Sequence, residues 1–194
     1  MFNFPPFGLD QTVGHWLQLW HPAGLTWTMK LISVIGAPEA LAPLGVILAI
    51  YAFYRHSPSR SALILMLTAG NILTPLLKHF FSRPRPTADQ LRVLIIERDY
   101  SFPSGHAVGI VIFAAVVIVF CWNYFRQRIR WWSLLGLAIM ILLVGLSRLY
   151  LGVHWLTDVL AGYVVGGLWV AITFGALGSA LKIPNRDQIT KPPA

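Results

Sequence analysis

The chain has 194 residues, of which 56% are hydrophobic and only 11% charged, with a mean hydropathy of +0.65; a water-soluble domain of this length carries about a quarter charged residues. That composition excludes an ordinary soluble globule and indicates a polytopic membrane protein. The formal charge of +8 would suit a nucleic-acid partner, but no basic tail or basic helical face with interleaved aromatics accompanies it, so none is expected.

The chain opens MFNFPPFGLDQTVGHW, with no basic residue before Lys30, which is unlike a cleaved leader. Residues 9–36 then mix Trp16, Leu17, Leu19, Trp20, Leu25 and Trp27 with Asp10, Gln11, His15, His21 and Lys30, and are interrupted at Pro22-Ala23-Gly24. This pattern predicts an interfacial segment over 1–36: two short helices lying on the membrane, with tryptophans at headgroup depth. Apolar stretches follow at 38–54, 61–81, 107–125, 131–147 and 159–181. All but the first approach or exceed the roughly 18 residues needed to cross hydrocarbon. The stretch at 38–54 is weaker because it starts with Pro38 and Glu39.

Lipid offers the backbone no hydrogen bonds and nothing alternates with the period of two that a barrel needs, so these stretches are expected to be helices. The expected fold is an all-α transmembrane bundle of about five spans, or six if residues 9–36 hold another, forming one domain over 1–194. Gly162, Gly166 and Gly167, then Ala171 and Gly175, give the last span a small-residue stripe suited to close helix packing. The single cysteine, Cys121, leaves no intrachain disulfide and no cysteine-based metal cluster.

With five spans, one side of the membrane receives Arg55, Arg60, Arg126, Arg128, Arg130, Lys182, Arg186 and Lys191 against one acid, Asp187. The other receives Lys30, Lys78, Arg83, Arg85, Arg92, Arg98 and Arg148 with the remaining acids. Setting aside cations that have binding work to do, the first side is the more basic and is expected to be cytoplasmic. The longest connection, 82–105, then lies outside the cytoplasm, and a loop of that length is expected to be functional.

Three clusters fall at span ends on this second side. In KHFFSRPRPTADQ, Lys78 ends a span, and Pro84 and Pro86 hold Arg83 and Arg85 extended. Taken alone, such cations only anchor a helix in headgroups. In Pro103-Ser104-Gly105-His106, a hydroxyl and a glycine open a helix whose exposed N–H groups and dipole suit an anion; Ser104 alone could equally be an N-cap. In SRLYLGVHWLTD, His154 and Asp158 are four apart and share a helical face, so the carboxylate can hold one ring nitrogen while the other attacks. Arg148 adds a charge at the membrane boundary. Three such clusters in a chain so poor in charge are costly unless they work together, and the chemistry they describe is phosphoryl transfer.

These residues resemble the type 2 phosphatidic acid phosphatase family, whose pattern K-x6-R-P, P-S-G-H, S-R-x5-H-x3-D is met by Lys78 with Arg85-Pro86, Pro103 to His106, and Ser147-Arg148 with His154 and Asp158. The likeness covers about residues 60–165, and the family's spacing selects Arg85 over Arg83. It implies that His154 is the nucleophile, Asp158 orients it, and His106 protonates the leaving oxygen before activating water. Lys78, Arg85, Arg148, Ser104 and Gly105 would hold the phosphoryl oxygens. It implies no cofactor and no metal. The implied function is hydrolysis of a lipid phosphate monoester or a polyprenyl diphosphate, with phosphatidic acid, phosphatidylglycerophosphate or undecaprenyl diphosphate as substrate, at the outer face of the plasma (inner) membrane. The alternatives are a vanadate-dependent haloperoxidase-like enzyme, whose soluble members lack apolar spans, and an anion transporter or channel, which would need polar span interiors.

Overall fold

The computed structural model describes residues 5–121 and 127–177. Its helices are α1 (Gly8–Leu17), α2 (Ala23–Ile35), α3 (Pro38–Tyr54), α4 (Pro58–Ala69), α5 (Leu73–Phe81), α6 (Gly105–Cys121), α7 (Gln127–Tyr150) and α8 (Leu156–Leu177), and no strand occurs among the described residues. The protein is an all-helical membrane bundle.

Local chemistry sets several boundaries. Proline opens α3 and α4 within the first turn, where a missing N–H costs nothing and the fixed φ is already helical. Between α4 and α5 the chain tightens into a 3-10 turn, Gly70–Ile72. Pro75 explains it, because its ring nitrogen cannot bond the Asn71 carbonyl. The Asn71 side-chain Nδ2 donates to the Thr68 carbonyl at 3.0 Å. The two helices still form one stretch of 24 residues, Pro58–Phe81, long and apolar enough to cross.

Gln127–Tyr150 and Leu156–Leu177 meet the same test. The expected span 107–125 is described as far as Cys121, and residues 122–126 lie outside the described residues, as do Arg126, Lys182, Arg186, Asp187 and Lys191. At 17 residues α3 is short by itself, but α2 and α3, bent by 41°, pass together. Two short N-terminal helices are present where expected, broken near Pro22. Surface placement describes only part of them. Trp16, Trp20 and Trp27 are exposed, yet Asp10 of α1 and Ser33 of α2 are buried in the bundle, with consequences for the site.

Helix α6 is the hub. It is apolar on every side and packs against α3, α4, α7 and α8, burying Val108, Ile112, Ala115 and Val116 against Ala49, Leu63, Ile64 and Leu67. Within a bilayer this association rests on close van der Waals fit more than on water exclusion. Gly162 provides it: a Cβ there would lie 2.6 Å from the Ala107 Cβ and 2.8 Å from the Ser104 carbonyl oxygen. A Cβ on Gly166 would meet Val111 at 3.0 Å, whereas Gly167 and Gly175 face open space. The small-residue stripe therefore reduces to two packing glycines, one helical turn apart. The close approach brings the start of α6 onto the start of α8, where the Ser104 N–H donates to the Asp158 carbonyl at 3.0 Å.

The long loop is fastened at many points. The Gln18 side chain donates to the Arg92 and Tyr150 carbonyls at 2.8 and 2.9 Å and accepts from the Arg92 N–H at 2.8 Å. Ser101 is buried, its N–H donating to the Arg83 carbonyl at 2.9 Å and its hydroxyl to the Pro84 carbonyl at 3.0 Å. The outward faces of α7 and α8 carry exposed Leu135, Leu142, Val164, Leu168 and Ile172, a surface suited to hydrocarbon.

Candidate active site

Helix α5 ends at Ser82, which takes a left-handed φ of 48°. That conformation is uncommon outside glycine, and here two bonds support it: the Ser82 N–H to the Lys78 carbonyl at 2.9 Å and the Ser82 hydroxyl to the His79 carbonyl at 2.8 Å. The turn releases Arg83-Pro84-Arg85-Pro86 from the helix, and each proline disfavours helical backbone at the arginine before it. Arg85 meets three residues of the cavity wall, His154, Glu97 and Asp99, whereas Arg83 turns into the bundle interior and is fully buried.

His154 lies in the turn between α7 and α8 and is 1% exposed. Its Nε2 is 3.1 Å from the Arg85 Nη1, which also donates to the Val153 carbonyl at 2.6 Å. A guanidinium can only donate, so Nε2 carries the lone pair and the ring proton is on Nδ1. Nδ1 faces Asp158 Oδ2 at 3.5 Å, a separation that allows charge attraction without a formed hydrogen bond. Burial pushes the His154 pKa well below the usual 6.5, and Arg85, Arg148 and Lys78 reinforce the effect, so the ring is neutral.

The cavity beside it encloses about 580 Å³ and is lined by Lys78, Glu97, Asp99, Gly105, His106 and His154, with Pro38, Asn71, Thr74 and Pro75 also in its wall. His106, in the first turn of α6, bonds the Ser33 backbone. Ser104 is fully buried and its hydroxyl has no protein partner, so it caps no helix here. Arg148 is likewise buried at the end of α7, and its guanidinium donates to the Ser33 hydroxyl and to Glu97. The fold thus gathers Lys78, Arg85, Arg148, His106, Gly105 and His154 around a single cavity or its ion-pair network, with Ser104 buried next to Gly105 in the chain and Asp158 buried behind His154.

The sequence reading missed how those cations are occupied. Glu97 and Asp99 of the long loop pair with all three: Glu97 with Arg148 and, at 2.7 Å, with Arg85; Asp99 with Lys78 at 2.6 Å and with Arg85 at 2.5 Å. Lys78 also donates to the Tyr100 carbonyl at 2.7 Å. Burial alone would raise the Asp99 pKa, but Lys78 and Arg85 hold it below the usual carboxylate value. The i, i+2 spacing of two acids in an extended segment was the available signal, since it places both on one side of the chain.

Behind His154 lies a second network. Arg83 and Asp158 are fully buried. Arg83 donates to Asp158 Oδ1 at 2.5 Å, to Asp10 Oδ2 at 2.8 Å and to the Thr157 hydroxyl at 2.7 Å. Asp158 Oδ2 accepts the Trp155 N–H at 2.9 Å. Asp10 accepts the N–H groups of Thr157 at 2.8 Å and Phe7 at 3.0 Å. Burial opposes its ionisation, but the Thr157 and Phe7 amides and Arg83 together hold its pKa below the usual value. No local signal distinguished Asp10 from any other polar residue of an interfacial helix.

Among the described residues no three His, Cys, Asp or Glu side chains form a group that could hold a metal ion. What converges is a neutral imidazole, a second histidine, three cations and a helix N-terminus, the requirements for moving a phosphoryl group through a nitrogen nucleophile.

Comparison with known proteins identifies the family. A family model described as the PAP2 superfamily matches residues 61–180. The chain is 33% identical to phosphatidylglycerophosphatase B of Bacillus subtilis over 145 residues, 73% of this chain and 70% of that protein. It is 30% identical to an undecaprenyl-diphosphatase of Sulfolobus acidocaldarius over 172 residues, covering 87% and 78% of the two. Among solved structures, the transmembrane PAP2-type phosphatidylglycerolphosphate phosphatase of Bacillus subtilis superposes with a TM-score of 0.77 at 27% identity, covering 90% of this chain and 87% of that one.

Proposed function

The chain belongs to the PAP2 superfamily and is a membrane phosphatase, a phosphoric-ester hydrolase; from that premise we propose that His154 is its nucleophile and that a lipid phosphate is its substrate. The observation that carries the reading is the Nε2 of a neutral, buried imidazole, 3.1 Å from a guanidinium at a cavity lined by further cations.

In the first step the Nε2 lone pair attacks phosphorus, a P–N bond forms and the P–O bond to the lipid breaks. His106, charged once the phosphate dianion lies beside it, gives its proton to the departing oxygen. Lys78, Arg85, Arg148, the Ser104 hydroxyl and the Gly105 N–H hold the three phosphoryl oxygens as charge builds on them, and fixed donors of this kind supply the largest share of stabilisation in such reactions. In the second step neutral His106 takes a proton from water, the hydroxide attacks phosphorus, the P–N bond breaks and phosphate leaves. No step calls on a metal.

Phosphatidylglycerophosphate and undecaprenyl diphosphate, named for the relatives above, are the substrate classes to test, with phosphatidic acid beside them. Pro38 and Pro75, on α3 and α5, give the cavity wall an apolar element that suits the first carbons of a lipid tail. The basic opposite end, which includes Arg55, Arg60, Arg128 and Arg130, supports an extracytoplasmic site in the plasma membrane.

Detergent-purified protein is expected to release phosphate from at least one of these three lipids with chelator present. His154→Ala is expected to lose that release by about 10⁴-fold or more. Activity that disappears on chelation alone, or that survives in His154→Ala, contradicts the proposal.

A further inference from the structure

We infer that Arg83 and Asp10 are positioning residues for the His154–Asp158 pair, a buried clamp that fixes the carboxylate behind the nucleophile. The inference rests on the reading of His154 as nucleophile. The geometry extends from α1 to the ring in one connected series: Asp10 Oδ2 to Arg83 Nη2 at 2.8 Å, Arg83 Nη1 to Asp158 Oδ1 at 2.5 Å, and Asp158 Oδ2 to His154 Nδ1 at 3.5 Å.

Each oxygen of Asp158 has a fixed donor, Arg83 on one and the Trp155 N–H on the other, so the carboxylate cannot rotate. The side of Oδ2 left over faces the imidazole. Without Arg83 the site would hold two fully buried carboxylates, Asp10 and Asp158, stripped of the guanidinium that pairs with both. Buried like charges of this kind are relieved by taking up a proton or by swinging apart. Either response removes the negative charge that faces His154 Nδ1 and frees the ring to turn or to change tautomer.

Asp10 completes the clamp. It accepts from Arg83, from the Thr157 N–H and hydroxyl and from the Phe7 N–H, tying α1 to the first turn of α8. Two carboxylates and one guanidinium leave a net negative charge behind a ring that becomes cationic as it attacks phosphorus, which favours the transition state over the resting state. Asp10 also lies outside residues 61–180, the part of the chain matched by the family model. The N-terminal helix therefore contributes to catalysis from a segment that the family pattern does not cover.

A double-mutant cycle tests this. Arg83→Gln, Asp158→Asn and the double variant are compared in full-length protein for phosphate release from a short-chain form of whichever lipid the wild type hydrolyses. Arg83→Gln is expected to lower kcat roughly a hundredfold with KM within about twofold. In the Asp158→Asn background the same change is expected to cost less than about threefold, because both residues act through one group. Arg83→Lys is expected to recover part of the loss. If Arg83→Gln does not fold, Asp10→Asn replaces it in the cycle, with an expected loss of about tenfold that vanishes beside Asp158→Asn. Losses that multiply in the double variant, or a raised KM at unchanged kcat, overturn the inference. Because His154→Ala is the control for the nucleophile, multiplying losses in an enzyme that still depends on His154 sink the clamp alone.

Discussion

Arg83 and Arg85 are two residues apart, and their side chains end at opposite edges of one imidazole. Arg85 meets Nε2 at the cavity and shares Glu97 and Asp99 with Lys78 and Arg148. Arg83 reaches the Nδ1 edge through Asp158 and is sealed from solvent. In the front cluster Asp99 is 56% exposed, so its ion pairs can be exchanged for those of an arriving anion. The rear cluster has no exposed member, and breaking any of its pairs leaves a buried charge unmatched. The difference separates two tasks: exchangeable pairs suit a site that must bind and release phosphate, while locked pairs suit one that must hold a ring in place.

The largest effect is expected where the front cluster is broken. Arg85→Ala removes the donor at Nε2 and a phosphoryl ligand together, and kcat/KM is expected to fall about 10²–10³-fold, read from initial rates of phosphate release. A loss below about threefold would place the anion elsewhere.

A middle-sized effect concerns the buried ring. Because burial lowers the folded-state pKa of His154, the unfolded chain binds its proton more readily below about pH 6.5. Stability is therefore expected to fall as pH drops through that value, by up to about 1.4 kcal/mol per pH unit from this residue. Denaturant titration of wild type against His154→Gln isolates the contribution, since the variant should lack this residue's share of the slope. Asp10 adds the same sign at lower pH: its lowered carboxyl stabilises the fold above about pH 3.8 and that contribution is lost as pH falls further. A slope unchanged by His154→Gln would mean that the ring is not held neutral.

The smallest effect is expected from Glu97→Gln. It removes a carboxylate that competes with phosphate for Arg85 and Arg148, so inhibition by inorganic phosphate should tighten by about fivefold, or about 1 kcal/mol. Weaker inhibition would show that Glu97 assists the anion instead of opposing it.

The sequence and the structure agree most closely where chemistry imposes a pattern. The apolar runs are long because a bilayer is thick, and the three charged clusters are conspicuous because charge is rare in this chain, so the bundle and the members of the front cluster were legible. The spacing of Lys78 and Arg85 singled out the cavity-facing arginine, although Arg83-Pro84 forms the same dipeptide. The acids escaped for a physical reason: Glu97 and Asp99 belong to an irregular loop, whose path depends on remote anchors such as Gln18 and Ser101. Asp10 escaped because its burial is created by Thr157 and Arg83, far away in the chain. The glycine stripe was half legible, since composition marks small residues but only the helix crossing decides that Gly162 and Gly166 face α6.

The division between a gripping front and an aiming rear is tested most directly by binding without turnover. Calorimetric titration with orthovanadate, a phosphate-like anion, into wild type, Arg85→Gln and Arg83→Gln separates the two tasks in one experiment. The account predicts that Arg85→Gln weakens binding by tenfold or more, roughly 1.4 kcal/mol, while Arg83→Gln binds within about twofold of wild type yet releases little phosphate from lipid. Equal weakening in both variants, or normal binding in Arg85→Gln, would contradict it.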